Sequence, residues 1–413
     1  MQAIGKVNLM NNNMLEQMEI IEKGKCTGCG LCSQVCPVNA IKLCPDTVTG
    51  FLYPQIDRSI CINCELCKKN CPQMRINCSQ ENFEKQVYGV VVKDEITRMN
   101  STSGGIFSLL AQSILKDGMG VVVGAAYDKE LYVQHIMVHN EEKLPQITRS
   151  KYLQSNLCSI YEEIKETLKS GKKVLFSGTP CQVSAIKRFC ELNGVIEGLY
   201  LVDLLCRGIP SPKANQLYLE QIAKERGSRV VAQYHKDKTY GWRSLATKYE
   251  LENGTSFVER IEDSDWGKSF ICYDYCTRES CFSCSYKKEE RVSDITLGDA
   301  WKIEKDFPAW ADNKGTSFFV VRTYKGEKLL NQVSDVFNYK EIDYEQWKKF
   351  NPSLVKATEQ PNSRKNFFDG YIKQDAKDFW DHYSKIEIKQ YVRYYAKRLL
   401  KILRLEKLIR KII

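Results

Sequence analysis

Eight of the cysteines before residue 72 form two runs, Cys26, Cys29, Cys32, Cys36 followed by Pro37, and Cys61, Cys64, Cys67, Cys71 followed by Pro72. Each run has the spacing C-x2-C-x2-C-x3-C-P. Three thiolates two residues apart can hold one face of an iron–sulfur cubane, whereas a fourth, held beyond a rigid proline, reaches across to another cluster. The pattern therefore assigns Cys26, Cys29, Cys32 and Cys71 to one 4Fe-4S cluster, and Cys61, Cys64, Cys67 and Cys36 to a second. Zinc sites need only paired ligands, and disulfide scaffolds belong to short secreted chains. Two complete copies with both prolines disfavour either. The segment is expected to carry electrons.

The rest of the composition narrows the setting. A length of 413 residues with 43% apolar content allows about two to three domains of ~150 residues. Met1 to Asn13 is polar and lacks the basic-then-apolar order of a secretory signal, and no run of 18 or more apolar residues stands ready to span a bilayer. A cytoplasmic setting is expected. The net charge of +10 is concentrated at one end, where Lys385 to Ile413 holds ten Lys or Arg against Glu387 and Glu406. There Lys389, Arg393, Lys397 and Lys401 share one helical face, while Val392, Tyr395, Leu399, Leu403, Ile409 and Ile412 form an apolar stripe. A basic amphipathic helix of this kind lies on an anionic membrane surface or packs on its own protein. No nucleic-acid-reading module accompanies it, so nucleic acid is not an expected partner.

Between the two cysteine runs, Ile41 to Leu43 and Phe51 to Ile56 flank a turn-rich Pro45 to Gly50, which predicts a β-hairpin. With short helices by each ligand triplet, residues 17–80 form a compact α+β two-cluster module of the bacterial ferredoxin kind. From residue 84 to 340 an α/β pattern takes over. Val87 to Val92 and Gly120 to Tyr127 are β-branched runs separated by the helical spacing of Ile106 to Leu115, which predicts a βαβ unit and a mostly parallel sheet. Thr102, Ser103, Gly104 and Gly105 open that helix, where free backbone N–H groups suit a phosphate as well as an ordinary cap. Residues 341–384 read as a helical extension and 385–413 as the basic tail.

The next unit carries more chemistry. Lys173 to Ser177 is a strand, Gly178-Thr179-Pro180-Cys181 a tight turn, Gln182 to Phe189 a helix, and Leu199 to Leu205 a second strand that runs into Cys206. Parallel pairing sets Cys181 and Cys206 side by side beyond the carboxyl ends of neighbouring strands, where open α/β sheets bind cofactors. Downstream come Cys272, Cys276, Cys281 and Cys284. Cys181 and Cys206 with the Cys281/Cys284 pair make four ligands for a third 4Fe-4S cluster. Two other arrangements fit the spacing: the four downstream cysteines as a self-contained site, or Cys181 as a redox thiol. Cys44, Cys78, Cys158 and Cys190 read as small buried hydrophobes.

Five segments in order, Thr102-Ser103-Gly104-Gly105, Ser150-Lys151-Tyr152-Leu153-Gln154-Ser155, Leu175 to Gln182, Val202 to Gly208 and Ser293 to Trp301, resemble successive motifs of the coenzyme F-420 hydrogenase/dehydrogenase beta-subunit family. The resemblance covers roughly residues 84–340. It implies a flavoprotein domain that binds FAD beside a 4Fe-4S cluster held by Cys181, Cys206, Cys281 and Cys284. It also implies a place near the bacterial branch encoded with surface-polysaccharide genes. Arg207 stands where members often show histidine, and Ala300 where a larger aromatic is common. Candidate flavin contacts are Thr102, Ser103, Gly104, Gly105, Lys151, Gly178, Thr179 and Asp299; Lys236, Trp242 and Arg243 are candidates to face substrate.

The expected activity is an iron–sulfur flavoprotein oxidoreductase. Clusters pass single electrons, most organic substrates accept pairs or hydrides, and a flavin converts one into the other. Electrons would come from reduced ferredoxin or a similar low-potential donor and leave to a small organic molecule. The alternative is an electron-transfer subunit that docks to a separate catalytic partner. Asp294 and Asp299 read as strand-end caps, and His135, His139, His235 and His382 show no metal spacing.

Overall fold

A computed structural model describes residues 20–74 and 83–373. Cys78 and the basic tail from 385 to 413 lie outside the described residues, as does the end of the helical extension. No described helix is long and apolar enough to cross a membrane.

The amino-terminal module is built on an antiparallel hairpin of β1 (Ile41–Pro45) and β2 (Leu52–Ile56), in which Ile41 faces Ile56 and Pro45 faces Leu52. Asp46 closes its turn: Oδ1 accepts the N–H groups of Val48 and Thr49 at 3.1 and 2.8 Å. Short helices at Leu31–Gln34 and Leu66–Lys69 carry the third cysteine of each run, and Ile20, Ile41, Cys67 and Cys71 pack between them.

The larger unit is a nine-stranded mixed sheet. Its strands are β3 (Gln86–Val92), β4 (Gly120–Tyr127), β5 (Val133–Val138), β6 (Ser155–Asn156), β7 (Lys173–Gly178), β8 (Leu199–Leu204), β12 (Ile295–Asp299), β13 (Ser317–Val321) and β14 (Phe337–Glu341). The remaining three, β9 (Val230–His235), β10 (Ala246–Leu251) and β11 (Ser256–Arg260), form a separate antiparallel sheet. Spatial order in the large sheet is β14-β3-β13-β12-β8-β7-β4-β5-β6. The block β12-β8-β7-β4 is parallel, whereas β13, β3 and β14 on one side and β5 on the other join antiparallel.

The sheet departs from expectation in two ways. The sheet is mixed rather than mostly parallel, and β3 and β4 are not neighbours in a βαβ unit. The helix between them does form over Ile106–Leu115, but four strands, β13, β12, β8 and β7, lie between β3 and β4. Local pattern marks a strand and a crossover; which strand it pairs with is decided by burial against elements more than 200 residues away.

Helices cover both faces. Along β4, Val122 points into the layer under Ile106–Leu115, while Val121 and Val123 point into the layer under Ile160–Lys169 and Pro180–Leu192. Burial on both sides is why this strand reads Val-Val-Val without polar alternation. The arrangement leaves the carboxyl ends of β7, β8 and β12 open together.

Candidate redox site

Three cavities follow one another from the amino-terminal module into the sheet. The first is lined by Cys26, Cys29, Cys32 and Cys71, with Ile20, Leu43 and Pro54. One cysteine of the second run thus joins three of the first. In the other group, Cys64 and Cys36 act electrostatically on Cys67, and Cys61 lies 3.7 Å from Asn63 Oδ1. The described cysteines are all free thiols. Among the described residues no group of three or more His, Cys, Asp or Glu is placed to hold a single ion.

The second cavity lies between the two units. It is lined by Cys181, Cys206, Cys281 and Cys284, together with Thr27, Tyr286, Lys287 and Arg291. Strand geometry explains the first pair. Gly178 of β7 is in register with Asp203 of β8, so the chain leaves both strands in the same direction and the cysteines come out together. Cys181 sits in the first turn of Pro180–Leu192, where Thr179 donates both its N–H and its hydroxyl to Gln182 Oε1 at 3.0 Å. Cys276 is fully buried among Trp266, Phe270 and Phe367, away from this cavity, and Cys272 is exposed. Burial pushes the Cys29 and Cys281 thiols up to about 12, with neighbouring cysteines adding to the rise. Thiols so crowded and desolvated would give up their protons only with a cation among them, which is what the iron of a thiolate-held cluster would supply.

The third cavity is the large one, about 540 Å³, at the carboxyl ends of β7, β8 and β12. Of the candidate flavin contacts, Thr102, Ser103, Gly105, Lys151, Gly178, Thr179 and Asp299 line it. Gly104 is behind the wall: its N–H donates to Ser317 Oγ at 2.9 Å. A Cβ there would sit 2.2 Å from Val90 O, so only glycine permits the approach. Ser103 is also tied into the frame, its hydroxyl donating to Thr316 O at 2.8 Å and its carbonyl accepting Lys238 Nζ at 2.9 Å.

The lining is rich in cations, with Arg149, Lys151, Arg207 and Lys236 against the single carboxylate Asp299. Lys236 pairs with Asp299 and stands 5.6 Å over the Trp301 ring. Arg207 is held by Asp274, Nη2 to Oδ2 at 2.6 Å. Burial, helped by Arg149, lowers Lys151 to about 7. Arg149 and Lys236 both occupy the left-handed backbone region, at φ 66° and 55°, a strain that fixed surroundings must hold.

Of the other substrate candidates, Trp242 does not reach the cavity but stacks behind Trp301 at 4.6 Å and 12°. Arg243 turns to Glu304 at 3.1 Å. Asp294 is a structural cap that accepts Leu201 N–H at 2.7 Å and the Thr323 hydroxyl at 2.8 Å. Sequence reasoning missed Tyr152, Arg207, Trp301 and the wall from Phe350 to Ser353 as cavity residues. It read His135 as ordinary, yet His135 lines the cavity as a neutral imidazole. Its Nε2–H donates to Ser177 O at 3.0 Å and its Nδ1 accepts from Ser155 Oγ at 2.7 Å.

The cavities share walls. Thr27 lines the first and second, and Cys206, Arg207, Gly208 and Ile209 line the second and third. The units are locked in this order by Tyr161, whose hydroxyl donates to Cys29 O at 2.9 Å, and by Arg188, which donates to Asn70 Oδ1 at 2.8 Å.

Two stretches of the chain match known families. Residues 171–345 match the family described as the C terminus of the coenzyme F420 hydrogenase/dehydrogenase beta subunit, and residues 19–42 match a 4Fe-4S binding domain. The chain is 24% identical over 345 residues to the coenzyme F420-dependent sulfite reductase of Methanocaldococcus jannaschii, an alignment covering 79% of this chain and 49% of that protein. It therefore spans about half the length of the curated relative it matches. A solved chain of the F420-reducing NiFe hydrogenase complex from Methanosarcina barkeri is 19% identical, with 69% of this chain and 91% of that one covered at a TM-score of 0.46. The protein thus carries a 4Fe-4S binding domain followed by the C-terminal domain typical of the hydrogenase/dehydrogenase beta-subunit family, and is an iron–sulfur protein.

Proposed function

We propose that this protein is an iron–sulfur flavoprotein oxidoreductase. It takes electrons from a low-potential donor such as reduced ferredoxin and delivers them, through three 4Fe-4S clusters and FAD, to a small organic substrate. Two clusters sit in the amino-terminal module and the third is held by Cys181, Cys206, Cys281 and Cys284. The observation that carries the reading is the pair of shared walls, because electrons need short gaps between successive centres and the cavities abut in the required order. The resemblance to the polysaccharide-linked branch suggests the substrate's setting.

The large cavity suits FAD in its volume, its apolar floor and its charge. Thr102, Gly105 and the start of Ile106–Leu115 present backbone donors to a pyrophosphate, and Lys151 and Arg149 supply positive charge. The flavin, when bound, converts single electrons into pairs. The chain's own part is to exclude water, hold the phosphates and keep Lys236 and Asp299 fixed beside the ring site.

A second reading, an electron-transfer subunit serving another catalytic chain, is favoured by Ile60, Ile62, Leu66 and Met74. These exposed apolar side chains surround the second cysteine run, as a docking face would. One experiment addresses both. Anaerobic mixing with reduced ferredoxin should reduce the clusters before the flavin, and turnover of candidate acceptors without a second protein supports the enzyme. Cluster reduction with no flavin response contradicts it.

A further inference from the structure

Arg278 is fully buried and makes no ion pair among the described residues. Its three side-chain hydrogen bonds all end on neutral oxygens: Nε to Cys26 O at 2.8 Å, Nη1 to Gln154 Oε1 at 3.0 Å and Nη2 to Leu52 O at 3.0 Å. The guanidinium also lies 4.3 Å from the Tyr53 ring and 5.1 Å from the Phe51 ring. A buried cation without a counter-charge is costly, and aromatic faces offset only part of that cost.

Its position says where the counter-charge lies. The backbone of Arg278 belongs to the loop of the Cys281/Cys284 pair: its carbonyl accepts Cys281 N–H at 3.0 Å, and its own N–H donates to Ile209 O at 2.8 Å. The side chain is wedged against the Cys26–Cys29 loop, where a Cβ on Gly28, at φ 68°, would come within 3.1 Å of Nη1. One residue thus joins the ligand loops of two centres. A 4Fe-4S cluster with four thiolates is anionic, and more so after reduction.

We infer that Arg278 is a positioning residue that sets the reduction potentials of the two clusters flanking it, its fixed charge favouring their reduced states. The inference rests on the three-cluster reading above. A cation near a centre lowers the energy of an added electron. Both potentials therefore stand higher with the charge than without it, while the Cys36/Cys61/Cys64/Cys67 centre, outside the contact, is affected less.

The test is an EPR-monitored potentiometric titration of the full chain, purified without oxygen, with iron counted on each sample. Arg278→Gln removes the charge. Gln154→Glu keeps the arginine but sets a carboxylate against it, so the test survives if the first variant loses iron. Each is expected to keep parental iron and to lower the reduction equilibrium of the flanking clusters about tenfold, ~59 mV for one electron. Arg278→Lys is expected to restore most of the shift. Full iron with unchanged potentials in either charge-altering variant overturns the inference. A parent with about eight irons defeats the three-cluster reading separately, and Arg278 is then judged on the Cys26 centre alone.

Discussion

Gly178 and Asp203 are register partners on adjacent parallel strands, and the cysteines that follow them, Cys181 and Cys206, consequently reach one cavity with Cys281 and Cys284. A turn, two strands and a distant loop supply the four sulfurs of what we assign as the third centre.

Cys181→Ala should therefore cost about four of about twelve irons and leave the spectra of the amino-terminal module in place. Cys276→Ala is the control: this thiol packs in an apolar core, so iron should hold while stability falls by about 1 kcal/mol or more. Metal analysis of both variants decides between this ligand set and one built on Cys272 and Cys276.

The crossed ligand gives a second expectation. Cys71 lies in the later run but lines the cavity of the earlier one. Cys71→Ala should accordingly damage the Cys26 centre, and Cys36→Ala the Cys61 centre. EPR of each reduced variant would show which signal disappears; loss in the same run as the mutation contradicts the crossing.

If FAD fills the large cavity, Lys151 should make its retention depend on pH. Burial holds it at about 7, and an anionic ligand would draw a proton onto it. Affinity for FAD should then fall as pH rises above about 7, approaching tenfold per unit, and Lys151→Met should bind weakly at every pH with little slope. Fluorescence of released flavin measures both.

Two buried histidines govern acid stability. Burial lowers His135 to about 4 and His235 to about 3, against about 6.5 in an unfolded chain. Between pH 6.5 and about 4 the unfolded state takes up protons that the folded state does not. Stability should fall with falling pH in that window, by up to about 1.4 kcal/mol per unit for each histidine. His135→Gln should roughly halve the slope of the urea midpoint against pH.

The parts of the molecule legible in the sequence were those where chemistry fixes both residue type and spacing. Iron ligation dictates the two amino-terminal runs, and apolar strands with a tight turn dictate where Cys181 emerges. The hairpin around Asp46 and the helix over Ile106–Leu115 are local: the helix forms at the expected residues, and the hairpin strands, Ile41–Pro45 and Leu52–Ile56, lie within two residues of expectation. Strand order was not legible, because β3 pairs with β13 and β14 through contacts more than 200 residues apart. Arg278 escaped notice for a similar reason: nothing near it in sequence announces that its charge ends beneath the Cys26 loop. The stretch from Phe350 to Ser353 was read as packing alone, yet it closes one side of the large cavity.

A three-cluster flavoenzyme in one chain is tested most directly by iron, sulfide and released flavin measured on a single anaerobic preparation. About twelve irons, about twelve sulfides and about one FAD per chain are expected. About eight irons with no flavin would contradict it, leaving the amino-terminal module as the redox-active part.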